Sequence, residues 1–289
     1  MVSIKSLLTA SALASAVLAI PHNANPHTHN HRSSRIPSKR TSSSSSSSSG
    51  GKRGAAYNTA TSVKTLSSGS SGNGTISWAY DWNMYDDGTL PSGIEYIPML
   101  WGSKMFGTWF TAIEAALSSG SNYILGFNEP DASSQADMSP STAASAYKNY
   151  ITPYSGKAKL VTPAVTSSTT SGEGLSWMKS FLSECSSCDL SVLAVHWYGD
   201  SASEFKEFVT EAIQVASDYD LEETWITEFA LTSDMSAGGD TSAGAKFLDE
   251  VIPWLDAESG VGRYAYFMCA DGYLLDGESL SDSGKVYVA

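Results

Sequence analysis

The sequence predicts an α/β fold, a single (β/α)8 (TIM) barrel preceded by a disordered serine-rich segment, and three observations carry that expectation. From residue 54 onward, short apolar or β-branched runs alternate with longer stretches of helical period. The short runs are apolar almost throughout, which marks strands of a parallel sheet covered on its outer face. There are eight of them over the length of one ordinary barrel domain. An open doubly wound sheet is the competing architecture, but no G-x-G-x-x-G or P-loop follows any strand to suggest nucleotide binding on it.

The elements follow in order. Met1 to Ala19 carries one lysine, Lys5, then the apolar run LLTASALASAVLA ending in small residues, the layout of a secretory signal cut after Ala19. A membrane helix needs about 20 apolar residues, more than this run supplies before polar sequence begins. Residues 20–53 contain PHNANPHTHNHRSSRIPSKR, eight serines from Ser42 to Ser49, and GGKR, a composition that cannot build a core and reads as a disordered linker or propeptide. Its histidines, His22, His27, His29 and His31, are expected to be solvated rather than metal-bound. Lys39-Arg40 and Lys52-Arg53 resemble dibasic processing sites, so the folded domain is expected to span residues 54–289.

Within that domain the expected strands are residues 54–58, 75–82, 95–101, 122–129, 159–165, 190–198, 224–230 and 263–269. Amphipathic stretches at 107–120, 141–156, 174–185, 201–220 and 241–257 are expected to be helices. In the fourth, Phe205, Phe208, Val209, Ala212, Ile213 and Ala216 form one apolar stripe. The connections after the first two strands are short or rich in Ser and Gly, so helices there are the least expected.

Charge narrows the partner. Residues 1–53 hold seven Lys and Arg and no acid, which leaves ten bases against thirty acids in the domain. A polyanion such as nucleic acid is disfavoured by that sign, and a neutral ligand is expected. Cys185, Cys188 and Cys269 are too few for a disulfide scaffold. In a secreted chain CSSC reads as a local Cys185–Cys188 disulfide at the end of a helix, with Cys269 a buried thiol. A zinc ribbon would need a second cysteine pair, and a thioredoxin-like motif a different βαβ context. Asn73-Gly74-Thr75 is a glycosylation sequon in a Ser/Gly-rich turn.

A barrel builds its site at the carboxyl ends of its strands, so the polar residues that finish each apolar run are the informative ones. They are Tyr80-Asp81-Trp82-Asn83 on the second run, Trp101 on the third, Asn128-Glu129 on the fourth, His196-Trp197-Tyr198 on the sixth and Glu228 on the seventh. A charge closing a hydrophobic strand at Asn128-Glu129-Pro130 costs free energy unless it is solvated or used. Each glutamate alone could be a strand-end cap. Together, Glu129 and Glu228 would meet at one rim, and two carboxyl groups about 5 to 5.5 Å apart are what retaining glycoside cleavage requires. Alternation places His196 and Tyr198 on one face of their strand and Trp197 on the other, so the first two are expected near Glu228. Tyr80, Trp82 and Trp101 are candidate partners for the apolar face of a sugar, whereas Trp78, Trp177, Trp225 and Trp254 are expected in the core.

The combination LGFNEPD, AVHWYG and WITEFA resembles clan A of the glycoside hydrolases and, within it, family 128, the alkali-sensitive-linkage-protein-like β-1,3-glucanases of fungi and some bacteria. The resemblance runs from about Gly54 to the end of the chain. It implies that Glu129 is the acid/base, that Glu228 is the nucleophile, and that Asn128 donates to the sugar 2-hydroxyl. One departure lies on the eighth strand, where many clan members place a tryptophan and YAYFMC offers Tyr266 or Phe267. The expected activity is a secreted, monomeric, retaining hydrolase of cell-wall β-1,3-glucan that needs neither metal nor organic cofactor and has no membrane association after signal removal. A cell-wall glucan-binding protein with little turnover, or a hydrolase of a mannan or β-1,4-glucan, are the alternatives.

Overall fold

The structure, a computed structural model, describes residues 51–234 and 241–289. The expected leader, the linker up to residue 50 with its four histidines, and the side chain of Asn73 lie outside what it describes. Strands β1 (Gly54–Ala56), β2 (Trp78–Tyr80) and β3 (Glu95–Tyr96) form one parallel sheet. A second comprises β4 (Tyr123–Ile124), β5 (Lys159–Val165), β6 (Leu190–Gly199), β7 (Glu223–Leu231) and β8 (Val261–Tyr266), each paired in parallel with its neighbour in sequence. Single parallel bridges join the sheet edges: Arg53 to Tyr264 and Tyr57 to Cys269 on one side, Met99 to Leu125 on the other. The sheet is therefore curled, with α1 (Ala60–Ser68), α2 (Trp109–Ser118), α3 (Pro140–Tyr150), α4 (Gly174–Glu184), α5 (Ala202–Asp218), α6 (Thr241–Ala257) and α7 (Asp282–Tyr287) between successive strands or after the last. A small hairpin, β9 (Leu275–Asp276) and β10 (Ser279–Leu280), precedes α7.

The eightfold alternation is incomplete. Between β2 and β3 the chain runs from Asp81 to Ile94 without an α-helix, through Asp86, Asp87, Gly88, Pro91 and Gly93, residues that favour turns over a continuous helix. The expected runs at 75–82, 95–101 and 122–129 also contain much shorter strands. Pro98 has no N–H to give to a ladder, and its carbonyl instead accepts from Leu125 N at 2.9 Å. Beyond β4 the backbone crowds β5: a Cβ on Gly126 would lie 2.6 Å from Pro163 N, so only glycine fits there. Pro163 interrupts β5 in turn, and the register shifts beside it. Thr162 Oγ1 restores a bond by accepting from Ala194 N at 2.9 Å.

Two apolar layers follow from strand parity. Trp78, Tyr80, Val192, Ala194, Trp225 and Ala265 point inside the curl, with Ile97, Met99, Leu125 and Val161. The alternate residues, such as Leu193, Val195, Ile226 and Tyr264, meet the helices outside. There α5 buries Phe205, Val209, Ala212, Val215 and Ala216, and Ser201 caps it by accepting from Glu204 N. Trp177 is buried on α4, while Trp254 is only half-buried against the outer layer. The inner layer ends in Arg263, whose guanidinium lies 4.5 Å from the Tyr123 ring and 4.7 Å from that of Trp225 while it pairs with Glu95 at 2.7 Å. Cys185 and Cys188 are disulfide-bonded just beyond α4, and Cys269 is a buried thiol that desolvation holds well above its ordinary range. Among the described residues no helix is long and apolar enough to cross a membrane.

Lys52 and Arg53, on the linker side of the expected boundary, are built into the fold. Lys52 Nζ donates to Leu255 O and Glu258 O. The Arg53 guanidinium is buried, donating to Tyr264 Oη at 2.9 Å, Tyr287 O at 2.8 Å, Ala289 O at 3.0 Å and Asp256 Oδ2 at 2.9 Å. Burial opposes its charge, but the Tyr264 and Asp256 partners outweigh that and keep it above its usual range. Replacing it strands buried carbonyls and a carboxylate. Arg53→Ala is expected to lose about 2 to 4 kcal/mol, measured by denaturant unfolding of the domain.

Candidate active site

The site is set by the pairing of β6 with β7. Their register places His196 opposite Glu228, after an irregularity between Val195 and His196. His196 and Tyr198, two apart on β6, therefore reach the same carboxylate. Tyr198 Oη donates to Glu228 Oε2 at 2.5 Å, and His196 Nδ1 lies 3.5 Å from the same oxygen. Trp197 faces the other way, buried against Phe247 at 5.7 Å and Phe205 at 5.2 Å in the layer under the helices, so it is a core residue and not a sugar contact.

Glu129 arrives from the chain just after β4. Its N–H donates to Ala164 O at 2.8 Å, extending the pairing with β5, and its φ of +42° turns the chain at Pro130. Asp131 anchors this turn, accepting from Thr166 Oγ1 at 2.6 Å and Gly174 N at 2.8 Å. The Glu129 carboxylate is thereby brought to His196 Nδ1 at 2.8 Å. One oxygen of Glu129, one of Glu228 and a ring nitrogen of His196 all lie within 4.8 Å of one another. The hydrophobic strand of YILGFNEPD thus ends at a carboxylate that is nearly buried and partnered, which answers for its desolvation.

Electrostatics favour a proton on His196. Burial works against charge on His196, but the carboxylates of Glu228 and Glu129 outweigh it, with Asp131 adding to them, and hold the imidazole above its ordinary range. The Tyr198 hydroxyl is pushed far up by desolvation and by Glu228, so it stays a donor. The same three side chains have the donor set of a metal site. However, the imidazole nitrogen that would have to be bare is the one facing both carboxylates, where a proton satisfies them.

The aromatic residues divide. Tyr80 is fully buried beneath the site and donates to Thr227 O at 2.9 Å, fixing the backbone next to Glu228. Trp82 is half-buried beside the carboxylates, and its Nε1–H donates to Glu228 Oε1 at 2.7 Å. Trp101 is half-buried at the rim with Lys104 Nζ 5.6 Å from its ring, and its carbonyl accepts from Asn128 N at 2.9 Å. Asn128 is buried, its side-chain amide 3.4 Å from Gln135 Oε1. Of the two eighth-strand candidates, Tyr266 is buried and bonded to Asp234, whereas Phe267 meets Trp82 at 6.0 Å and Tyr198 at 5.7 Å and so packs against two of the residues that hold Glu228. Asp131 and Thr227 do site work that the sequence reading missed. The polar end of LGFNEPD was the available signal for the first, and nothing local marks the second.

Fold and site together define a glycosyl hydrolase catalytic core, and the family model of that description matches residues 54–287. Similar structures include a curdlan-specific exo-β-1,3-glucanase from Blastomyces gilchristii in complex with glucose, 42% identical with a TM-score of 0.74 over 82% of this chain and 97% of that one. An endo-β-1,3-glucanase from Sorangium cellulosum is 27% identical with a TM-score of 0.65, covering 82% of this chain and 98% of its own. Alkali-sensitive linkage protein 1 of Schizosaccharomyces pombe is 28% identical over 254 residues, 83% of this chain, and the chain spans 44% of the length of that protein. The chain belongs to glycoside hydrolase family 128.

A histidine whose folded form holds its proton more tightly than the unfolded chain stabilises the fold fully below the unfolded value, near 6.5, and loses that contribution as pH rises through the folded value. The thermal midpoint is therefore expected to fall as pH is raised from about 6.5. Scanning calorimetry of His196→Gln across the same range should show a flatter dependence.

Proposed function

We propose that this chain is a secreted retaining glycoside hydrolase that cleaves β-1,3-glucan of cell walls, its curled sheet acting as a (β/α)8 barrel that lacks one helix. The observation that carries the mechanism is the approach of the Glu129 and Glu228 oxygens to within 4.8 Å around His196. That spacing suits direct attack by one carboxylate, whereas an inverting pair stands about 6.5 to 9.5 Å apart to admit a water. Glu228 accepts from Trp82 on one oxygen and Tyr198 on the other, two donors that fix the plane of its carboxylate and suit it to the nucleophile's role. Glu129, touched by His196 alone among these donors, is left as the acid/base.

In the first step Glu228 bonds to the anomeric carbon while Glu129 delivers its proton to the departing glycosidic oxygen. In the second, Glu129 takes a proton from water, the hydroxide oxygen bonds to the anomeric carbon, and the bond to Glu228 breaks. Asn128, the residue before Glu129, is assigned the sugar 2-hydroxyl, as the family resemblance implies. Trp101 offers its ring to the apolar face of a pyranose. The substrate assignment is supported by the β-1,3-glucanase relatives, and release from chain ends by the 42% identical exo-acting one. Secretion rests on the leader-like first 19 residues, and a neutral substrate suits the acidic domain.

Incubation of the domain with curdlan and laminarin is expected to release reducing ends, with a β-anomer formed first by proton NMR and small products throughout. Binding without release would replace the hydrolase with a glucan-binding protein. Glu228→Gln is expected to lose roughly four or more orders of magnitude in kcat. Trp101→Ala should raise KM about 3- to 10-fold with little change in kcat, as loss of a ring contact predicts.

A further inference from the structure

Trp82 does not sit where a simple stacking platform needs to sit. Its φ is +55°, a left-handed conformation that a bulky side chain adopts only when its surroundings enforce it. The enforcement comes from the turn that carries it. Asp81 Oδ1 accepts from Asn83 N at 3.2 Å, and its Oδ2 from Asp87 N at 3.1 Å. The Tyr96 hydroxyl lies 2.8 Å from Asp81 Oδ1 and 2.9 Å from Asn83 O, the same carbonyl that accepts from Met99 N at 2.8 Å. Residues on either side of Trp82 are thus clasped to the chain around β3. The indole ring is flanked by Tyr80 at 5.2 Å and Phe267 at 6.0 Å, both at steep angles, which leaves its N–H a single direction.

We propose that Trp82 is a positioning residue for the nucleophile: the Asp81–Tyr96 clasp aims its indole N–H at Glu228 Oε1, holding that carboxylate in the attacking rotamer. The inference rests on the hydrolase reading and deepens it. Glu228 is faced from β6 by His196 and Tyr198, from the chain after β4 by Glu129, from β2 by Tyr80, and from the turn after β2 by Trp82. Tyr198 takes one oxygen at 2.5 Å and Trp82 the other at 2.7 Å, so the two donors together fix the plane of the carboxylate. Removing the indole donor frees Oε1 and lets the carboxylate turn about its remaining bond to Tyr198.

Trp82→Phe keeps an aromatic face and deletes the N–H. It is expected to lower kcat roughly 10- to 100-fold on laminari-oligosaccharides with KM within about twofold of wild type. Incorporation of 3-benzothienylalanine at position 82, which replaces only the N–H by sulfur, should reproduce that loss and covers the case in which the phenylalanine variant folds poorly. Asp81→Asn, which weakens the clasp, should show the same change in smaller measure. A raised KM with kcat unmoved would mean a stacking platform and overturn the proposal. A downfield indole 1H–15N resonance that is absent from Trp82→Phe and moves upfield in Glu228→Gln tests the bond itself. If that resonance is the same in Glu228→Gln as in the wild type, the proposal fails whether or not glucan is hydrolysed. Absence of wild-type turnover would sink the hydrolase reading alone, leaving the resonance to decide this one.

Discussion

The register between β6 and β7 is the constraint on which the rest depends. It sets His196 across from Glu228, and the two-residue period of β6 then delivers Tyr198 to the same carboxylate and sends Trp197 into the outer core. A slip by one residue would reverse all three. Several otherwise unrelated features protect this register: the inner layer of Trp78, Trp225 and Ala194, the Arg263–Glu95 pair below it, and the Tyr80 bond to Thr227 O, one residue before the nucleophile. The chemistry at the rim is thus supported by side chains that never meet the cleft.

The carboxylates show how the surrounding protein can assign different tasks to identical groups. Glu228 is approached by a phenol and an indole that have no easily lost proton, so they can only donate. Glu129 is approached by an imidazole, which can hold or release one. The difference lies in the neighbours, and those neighbours come from β2, β6 and the turn after β4, elements far apart in sequence.

Much of this was legible before any coordinates. Eight apolar runs gave a parallel sheet, and the polar residues closing runs four, six and seven gave Glu129, His196, Tyr198 and Glu228, because a charged or hydrogen-bonding residue at the end of a buried strand has few other uses. What was not legible depended on contacts across the sheet. Trp82 reads in sequence as one of several rim aromatics, and its bond to a residue 146 positions away has no local signature. Asp81 is drawn into the same network through Tyr96, and desolvation raises its carboxyl above the ordinary range despite the hydrogen bonds that oppose the shift. The missing helix between β2 and β3 agrees with the turn-rich connection there, whereas α1 forms after β1 despite a connection rich in Ser and Gly, because Ala60, Val63 and Leu66 give it a buried face. Arg53 reads as half of a basic pair, and only its four acceptors reveal a core residue.

The absent helix has a consequence for how the molecule should fail. A groove of about 620 Å³ lies beside the β2–β3 connection, edged by Tyr85, Leu90 and Tyr96 and by Asn122 from the far side. Ala115 and Ala116 of α2 complete that wall, so the segment from Asp81 to Ile94, with no helix of its own, is held by the hydrogen bonds of Asp81 and Asn83 to Tyr96, Asp87 and Met99. Because the same few bonds carry the indole that touches the nucleophile, loosening this one crossover should silence the site before the sheet beneath it melts.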